Sequence, residues 1–130
     1  MRDPISHLIV QIKNGSSAKK EAVSIAHSNF AASVAEALAR KGYVKPASKK
    51  GKKVQKFLEI GLIYNPNGTP RVNGVARISK PSKRIYKGYS DIHQIKQGYG
   101  SVFVSTPKGI LSDDEARKEK VGGEILFSIW

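Results

Sequence analysis

No cysteine occurs in this chain. That absence removes disulfide frameworks, thiolate metal sites and cysteine nucleophiles together. Long apolar runs are also missing. The N-terminal MRDPISHLIVQIKNG is broken by polar residues where a signal peptide stays apolar, and no stretch approaches the length of a membrane span. The chain therefore reads as cytoplasmic, with an organelle as the alternative, and no membrane partner is expected. Acidic residues are scarce as well: ten Asp and Glu stand against 23 Lys and Arg, a formal net charge of +13. Such an excess fits a polyanion, most simply nucleic acid, bound through phosphate neutralisation and counterion release. The blander reading is a cationic surface that only confers solubility.

Catalytic and metal-binding constellations are thin too. His7, His27 and His93 are far apart, and none has a partner at metal-ligand spacing. Gly98-Tyr99-Gly100 begins like a dinucleotide fingerprint, but Phe103 stands where the third glycine belongs. Ser105 lies in no nucleophile elbow, and Lys108-Gly109 lacks the order of a P-loop. Asp113, Asp114 and Glu115 form the one dense acidic cluster, and helix-start electrostatics accounts for all three. The expectation is no enzyme, no metal and no cofactor.

What is present is a run of well-punctuated elements. At 130 residues the chain suits one domain or two small lobes sharing a sheet. Asp3 and Pro4 open a helix whose Ile5, Leu8, Ile9 and Ile12 make one apolar stripe, closed by Lys13-Asn14-Gly15. Ala22 to Ala26 reads as a strand. Ser28 caps a second helix with Phe30, Val34 and Leu38 on one face, stopped by Gly42. Lys45 to Lys56 is a lysine-rich segment, either a phosphate-grasping loop or a solvated hairpin tip. Phe57 to Tyr64 alternates as a strand with Leu58, Ile60, Leu62 and Tyr64 on one face, ended by the turn Asn65-Pro66-Asn67-Gly68.

A second basic stretch holds an expected hairpin from Arg77 to Tyr86. Ile78 and Ile85 point inward there, while Arg77, Lys80, Lys83, Arg84 and Lys87 line an exposed surface. Tyr86 and Tyr89 sit among these cations. Each reads either as a ring that stacks on exposed nucleotides or as cross-strand packing, and packing is favoured for Tyr89. Asp91 to Gln97 reads as a short helix and Ser101 to Val104 as a strand. The stretch Ser105-Thr106-Pro107-Lys108-Gly109 is then a polar loop held by a helix. Ser112 and Glu115 make that helix's capping box, and Gly122 and Gly123 end it through a left-handed residue. Ile125 to Trp130 closes the chain as a strand, with Trp130 as a packing residue.

STPKG, GILSDDEAR and VGGEIL, in this order, resemble the C-terminal signature of bacterial small-subunit ribosomal protein eight, the S-eight family. DPISHLIVQIKNG resembles the family's first helix and turn, Ser28 to Gly42 its second helix, and RISKPSKRIY its central basic hairpin. The resemblance implies an α+β fold of two small α/β lobes joined by antiparallel sheet, with boundaries at 1–64 and 65–130. It implies a structural constituent of the small ribosomal subunit that binds the central domain of 16S ribosomal RNA, supports 30S assembly and meets neighbouring small-subunit proteins. The alternative is translational repression of its own operon through an mRNA site mimicking the rRNA. An RNA-acting enzyme is a third, poorly supported class.

Carried over by motif, Ser105 and Thr106 would make hydroxyl contacts and Lys108 a phosphate contact, while Gly109 would permit close backbone approach. Glu124 would accept hydrogen bonds from nucleotides or orient the loop, and Tyr86 would pack against RNA. Pro107 departs from the family's usual second serine and removes a hydroxyl and a backbone donor. Lys13 takes the place of a frequent arginine, and Ser82 the place of a glycine after Pro81.

Overall fold

The computed structural model describes residues 4–51, 56–80, 82–92 and 100–130. The chain divides into two compact units, one within Arg2–Asn73 and one within Gly74–Trp130. Each has its own antiparallel sheet and its own helix or helices, so the fold is α+β. Among the described residues no helix is long and apolar enough to cross a membrane.

In the first unit, α1 (Pro4–Ser17) buries Ile5, Leu8, Ile9 and Ile12, the stripe the spacing predicts. Asp3, its expected cap, lies outside the described residues. The helix does not close at Lys13-Asn14-Gly15 but runs on to Ser17. Gly15 serves packing instead: a Cβ there would stand 2.5 Å from Cγ1 of Val23. Reversal comes at Lys19, left-handed at φ 57, where the N–H groups of Lys19 and Lys20 reach the carbonyls of Ser16 and Gly15.

Strand β1 (Ala22–Ala26) buries Val23 and Ile25. Helix α2 (Asn29–Arg40) starts at Ser28, whose hydroxyl accepts from the N–H of Ala31 at 3.0 Å, and Gly42 ends it at φ 81. Its buried stripe is Ala31, Val34, Ala35 and Leu38 with Ala37. Phe30 is 39% exposed, contrary to its expected place on that face, because the i, i+3, i+4, i+7 set begins one residue later.

The lysine-rich segment is not loop throughout. Strand β2 (Ser48–Gly51) pairs with β3 (Lys56–Gly61) from Ser48 opposite Glu59 to Gly51 opposite Lys56. The tip, 52–55, lies outside the described residues. The sheet order is β1-β3-β2, and Leu58, Ile60 and Leu62 are buried as their alternation predicts. The turn after them closes when Gly68, at φ 89, donates its N–H to Asn65 at 2.8 Å.

The second unit is built on β8 (Gly123–Ile129), the partner of β4 (Val75–Arg77), β5 (Tyr86–Lys87) and β6 (Ser101–Thr106). Arg77 to Tyr86 forms the expected hairpin only at its tip, where Lys80 and Lys83 pair antiparallel; its outer arms lie along β8 instead of each other. Between them the chain steps out and returns, and buried Ser79 binds the two sides by accepting from the N–H of Ile85 at 2.9 Å. Ile78 and Ile85 do face inward, against Ile92, Val102, Val104, Ala116 and Ile125. Of the helix expected at Asp91 to Gln97, Asp91 and Ile92 are described: Asp91 ends a 3-10 turn, Tyr89–Asp91, and Ile92 is extended. Residues 93–99, with His93, Gly98 and Tyr99, lie outside the described residues.

Strand β6 continues past Val104 to Thr106 and reverses into β7 (Gly109–Ser112), a strand the sequence reading leaves out. Helix α3 (Asp113–Glu119) opens on the expected capping box. It ends at Lys120, left-handed at φ 56, rather than at Gly122 or Gly123. Those glycines are needed elsewhere. A Cβ on Gly122 would strike the Lys87 carbonyl, and one on Gly123 the Ser105 carbonyl. Trp130 packs as expected: a Cβ on Gly74 would meet its indole at 2.6 Å.

Candidate nucleic-acid interface

Strand register decides which residues share a face at the open end of the second unit's sheet. Tyr86 lies opposite Glu124, Glu124 opposite Ser105, and Ser105 opposite Ile110. Directly opposed residues point the same way, so Tyr86, Glu124, Ser105 and Ile110 form one row. The neighbouring row, Ile125, Val104 and Leu111, faces the apolar cluster on the other side. Burial of that row is what turns the first one outward. Absence of a side chain at Gly123 lets β6 and β8 close here, which brings Ser105 and Thr106 against the row.

At the tip of the β6–β7 hairpin, Thr106 pairs with Gly109, and Pro107 and Lys108 form the two-residue turn. The Thr106 hydroxyl donates to the Gly109 carbonyl at 2.8 Å and accepts from the Lys108 N–H at 3.1 Å. It is thus spent inside the turn, which it shapes. Pro107 sets φ for the turn's first central residue, and Gly109 takes φ 111, which disfavours other residues. Ser105 is half-buried, whereas Pro107, Lys108 and Gly109 are exposed. Lys108 reaches Glu119 at 3.4 Å, an exposed pair that a stronger anion can displace at small cost.

The cations divide into two groups. Lys80 and Lys83 exchange backbone hydrogen bonds of 2.9 and 3.0 Å and stand exposed opposite each other. Like charges held opposite repel, and an anion between them relieves that repulsion. Arg84 joins the row by its ion pair with Glu124 at 3.0 Å, where the Glu124 side chain is only 17% exposed. Arg77 departs from the expected exposed surface. It is half-buried, and its guanidinium donates to the Leu126 carbonyl at 2.6 Å. Tyr86 is 67% and Tyr89 43% exposed.

The acidic cluster has a use that helix-start electrostatics does not anticipate. Asp113 is buried, accepts from the N–H of Val102 at 3.2 Å and pairs with Arg117 at 3.1 Å. Arg117 also donates to the Ile92 carbonyl at 3.0 Å. These bonds clamp α3 onto the strand that ends in the turn. The signal for β7, missed in the sequence, is the apolar pair Ile110-Leu111 directly after Gly109.

Comparison with known proteins bears on the whole chain. A family model described as ribosomal protein S8 matches residues 3–130. A protein of Nautilia profundicola named small ribosomal subunit protein uS8 is 40% identical over 130 residues, covering 100% of this chain and 99% of that relative. Relatives of the same name from Erythrobacter litoralis and Persephonella marina are 42% and 40% identical, over 100% and 98% of this chain and 98% of each relative. With the match running from end to end, the chain belongs to the ribosomal protein S8 family.

Proposed function

We propose that this protein is a structural constituent of the small ribosomal subunit that binds the central domain of 16S rRNA, with the C-terminal lobe carrying the main contact. One observation carries the reading: an outward row of Tyr86, Glu124 with Arg84, and Ser105, continuous with the exposed Pro107-Lys108 turn and bordered by a rigid β-sheet. Folded RNA presents phosphates, 2′-hydroxyls and exposed bases at close quarters. A point charge at Lys108 suits the first, the Ser105 hydroxyl the second, and the open Tyr86 ring the third. Glu124 deters a phosphate from the middle of the row and favours a donor there, either a hydroxyl or a base amino group. Within this reading the Thr106 hydroxyl holds the turn, and Arg77 supports β8 from below. The family's implied hydroxyl contact then rests on Ser105.

Binding to a central-domain rRNA helix, measured over a salt series against a scrambled duplex, tests this. Ser105→Ala should weaken cognate binding about fivefold, the equivalent of ~1 kcal/mol, with the salt slope unchanged. Lys108→Ala should lower the slope by about 0.7–0.9 on either RNA. Equal affinity of the unaltered protein for both RNAs at every salt concentration would refute the reading. Repression through an mRNA mimic would use the same row, so the same two variants should lose repression.

A further inference from the structure

The densest run of lysine in the chain lies outside the site described above. From Leu38 to Ile60, Glu59 is the one acidic residue, and lysines recur throughout. Part of this stretch is β2, an edge strand by the sheet order β1-β3-β2, with all four residues exposed.

Pairing with β3 decides where its lysines point. Lys50 lies opposite Phe57 and shares a face with Glu59, whose carboxylate it meets at 3.0 Å. Lys49, opposite Leu58, projects to the other face. Lys45 is positioned differently. Its N–H donates to the Gly61 carbonyl at 2.9 Å, and its stem lies across Gly61, where an added Cβ would come within 2.9 Å of Cδ. Because Gly61 has no side chain, the Lys45 stem rests on the sheet. The stem therefore lies on the face of the sheet that Glu59 and Lys50 also occupy.

One charged residue is enough to keep an edge strand from pairing with another sheet. Here cations occupy both faces of the edge, with Lys49 and Lys50 on paired strand backbone and Lys45 in the segment just before it. That arrangement matches a ligand with repeated negative charge. Lysine, a compact point charge, suits phosphates and reads no bases.

We propose that Lys49 and Lys50 on β2, with Lys45 just before it, form a second RNA contact that grips the phosphate backbone without reading sequence. The inference rests on RNA being the partner, and it concerns surface that the sheet-end row does not use.

The test is the slope of log affinity against log salt for the full chain, on a central-domain rRNA helix and on a scrambled RNA duplex. The double variant Lys45→Gln/Lys49→Gln should lower the slope by about 1.5 on both RNAs, at ~0.7–0.9 for each phosphate no longer neutralised. Its preference for the cognate helix should be unchanged. The charge-keeping double variant Lys45→Arg/Lys49→Arg should retain the original slope. An unchanged slope in the Gln variant overturns the proposal, as does an equal loss in the Arg variant, which would trace the effect to the fold. Failure of the sheet-end reading would be distinguishable, since it appears as the unaltered protein binding both RNAs equally.

Discussion

Single residues in this protein are placed by backbone demands as much as by their side chains. Lys120 ends α3 in the left-handed region, a conformation that costs a residue with a Cβ about 1 kcal/mol relative to glycine. Lys120→Gly should therefore raise stability by up to ~1 kcal/mol, read as a higher urea midpoint with an unchanged m-value. A lower midpoint would mean that the lysine side chain contributes more than its backbone loses. The glycines two and three positions on could not have been exchanged for this one, since at Gly123 a Cβ meets the Ser105 carbonyl. The helix stop and the close strand approach are two separate requirements. In the sequence they merge into one double-glycine signal, which is why the pattern alone places the helix end too late.

At the scale of elements, the excursion between β4 and β5 depends on one buried hydroxyl. Ser79 accepts from the Ile85 N–H at 2.9 Å and donates to the Ile85 carbonyl at 3.2 Å. Ser79→Ala leaves that N–H buried and unpaired, a loss of about 1–3 kcal/mol. The urea midpoint should fall accordingly, and amide exchange at Ile85 should accelerate. If both stay unchanged, water or another group has replaced the hydroxyl, and the excursion does not hang on Ser79. The expected hairpin is confined to its tip, where Lys80 and Lys83 pair. RISKPSKRIY carries ordinary turn signals, but Ile78 donates to the Leu126 carbonyl and Ile125 to the Ile85 carbonyl, so both arms take their partners from β8. Pairing between segments so distant in sequence leaves no mark on the local pattern. Elements set by local chemistry, by contrast, are legible: the Ser28 cap, the Ser112–Glu115 capping box and the Asn65–Gly68 turn.

For the molecule as a whole, a net charge of +13 has two consequences of opposite sign. Self-repulsion weakens the compact state, and salt screens it. Counterion release favours RNA binding, and salt opposes it. Raising salt from about 0.02 to about 0.2 M, a range over which the screening length shortens several-fold, should thus raise the thermal midpoint of the free protein while weakening its RNA complex. Melting curves and binding titrations in the same buffers check this. A midpoint that falls together with affinity would show that ion pairs such as Arg117–Asp113 outweigh the repulsion.

A charge excess that favours a polyanion is legible in the residues alone, and so, through ordered motifs along the chain, is the family. The sequence also determined the helix starts, because caps act over three or four residues. Tertiary structure alone decided which candidate residues meet. Register across β5, β8, β6 and β7 joined Tyr86, Glu124 and Ser105 into one outward row, although they are far apart in the chain. It drew Arg77 back to the Leu126 carbonyl and turned the Thr106 hydroxyl into the turn. The physical reason is the two-residue period of a strand: a partner's register, which no local signal encodes, assigns each side chain to the solvent or to the core.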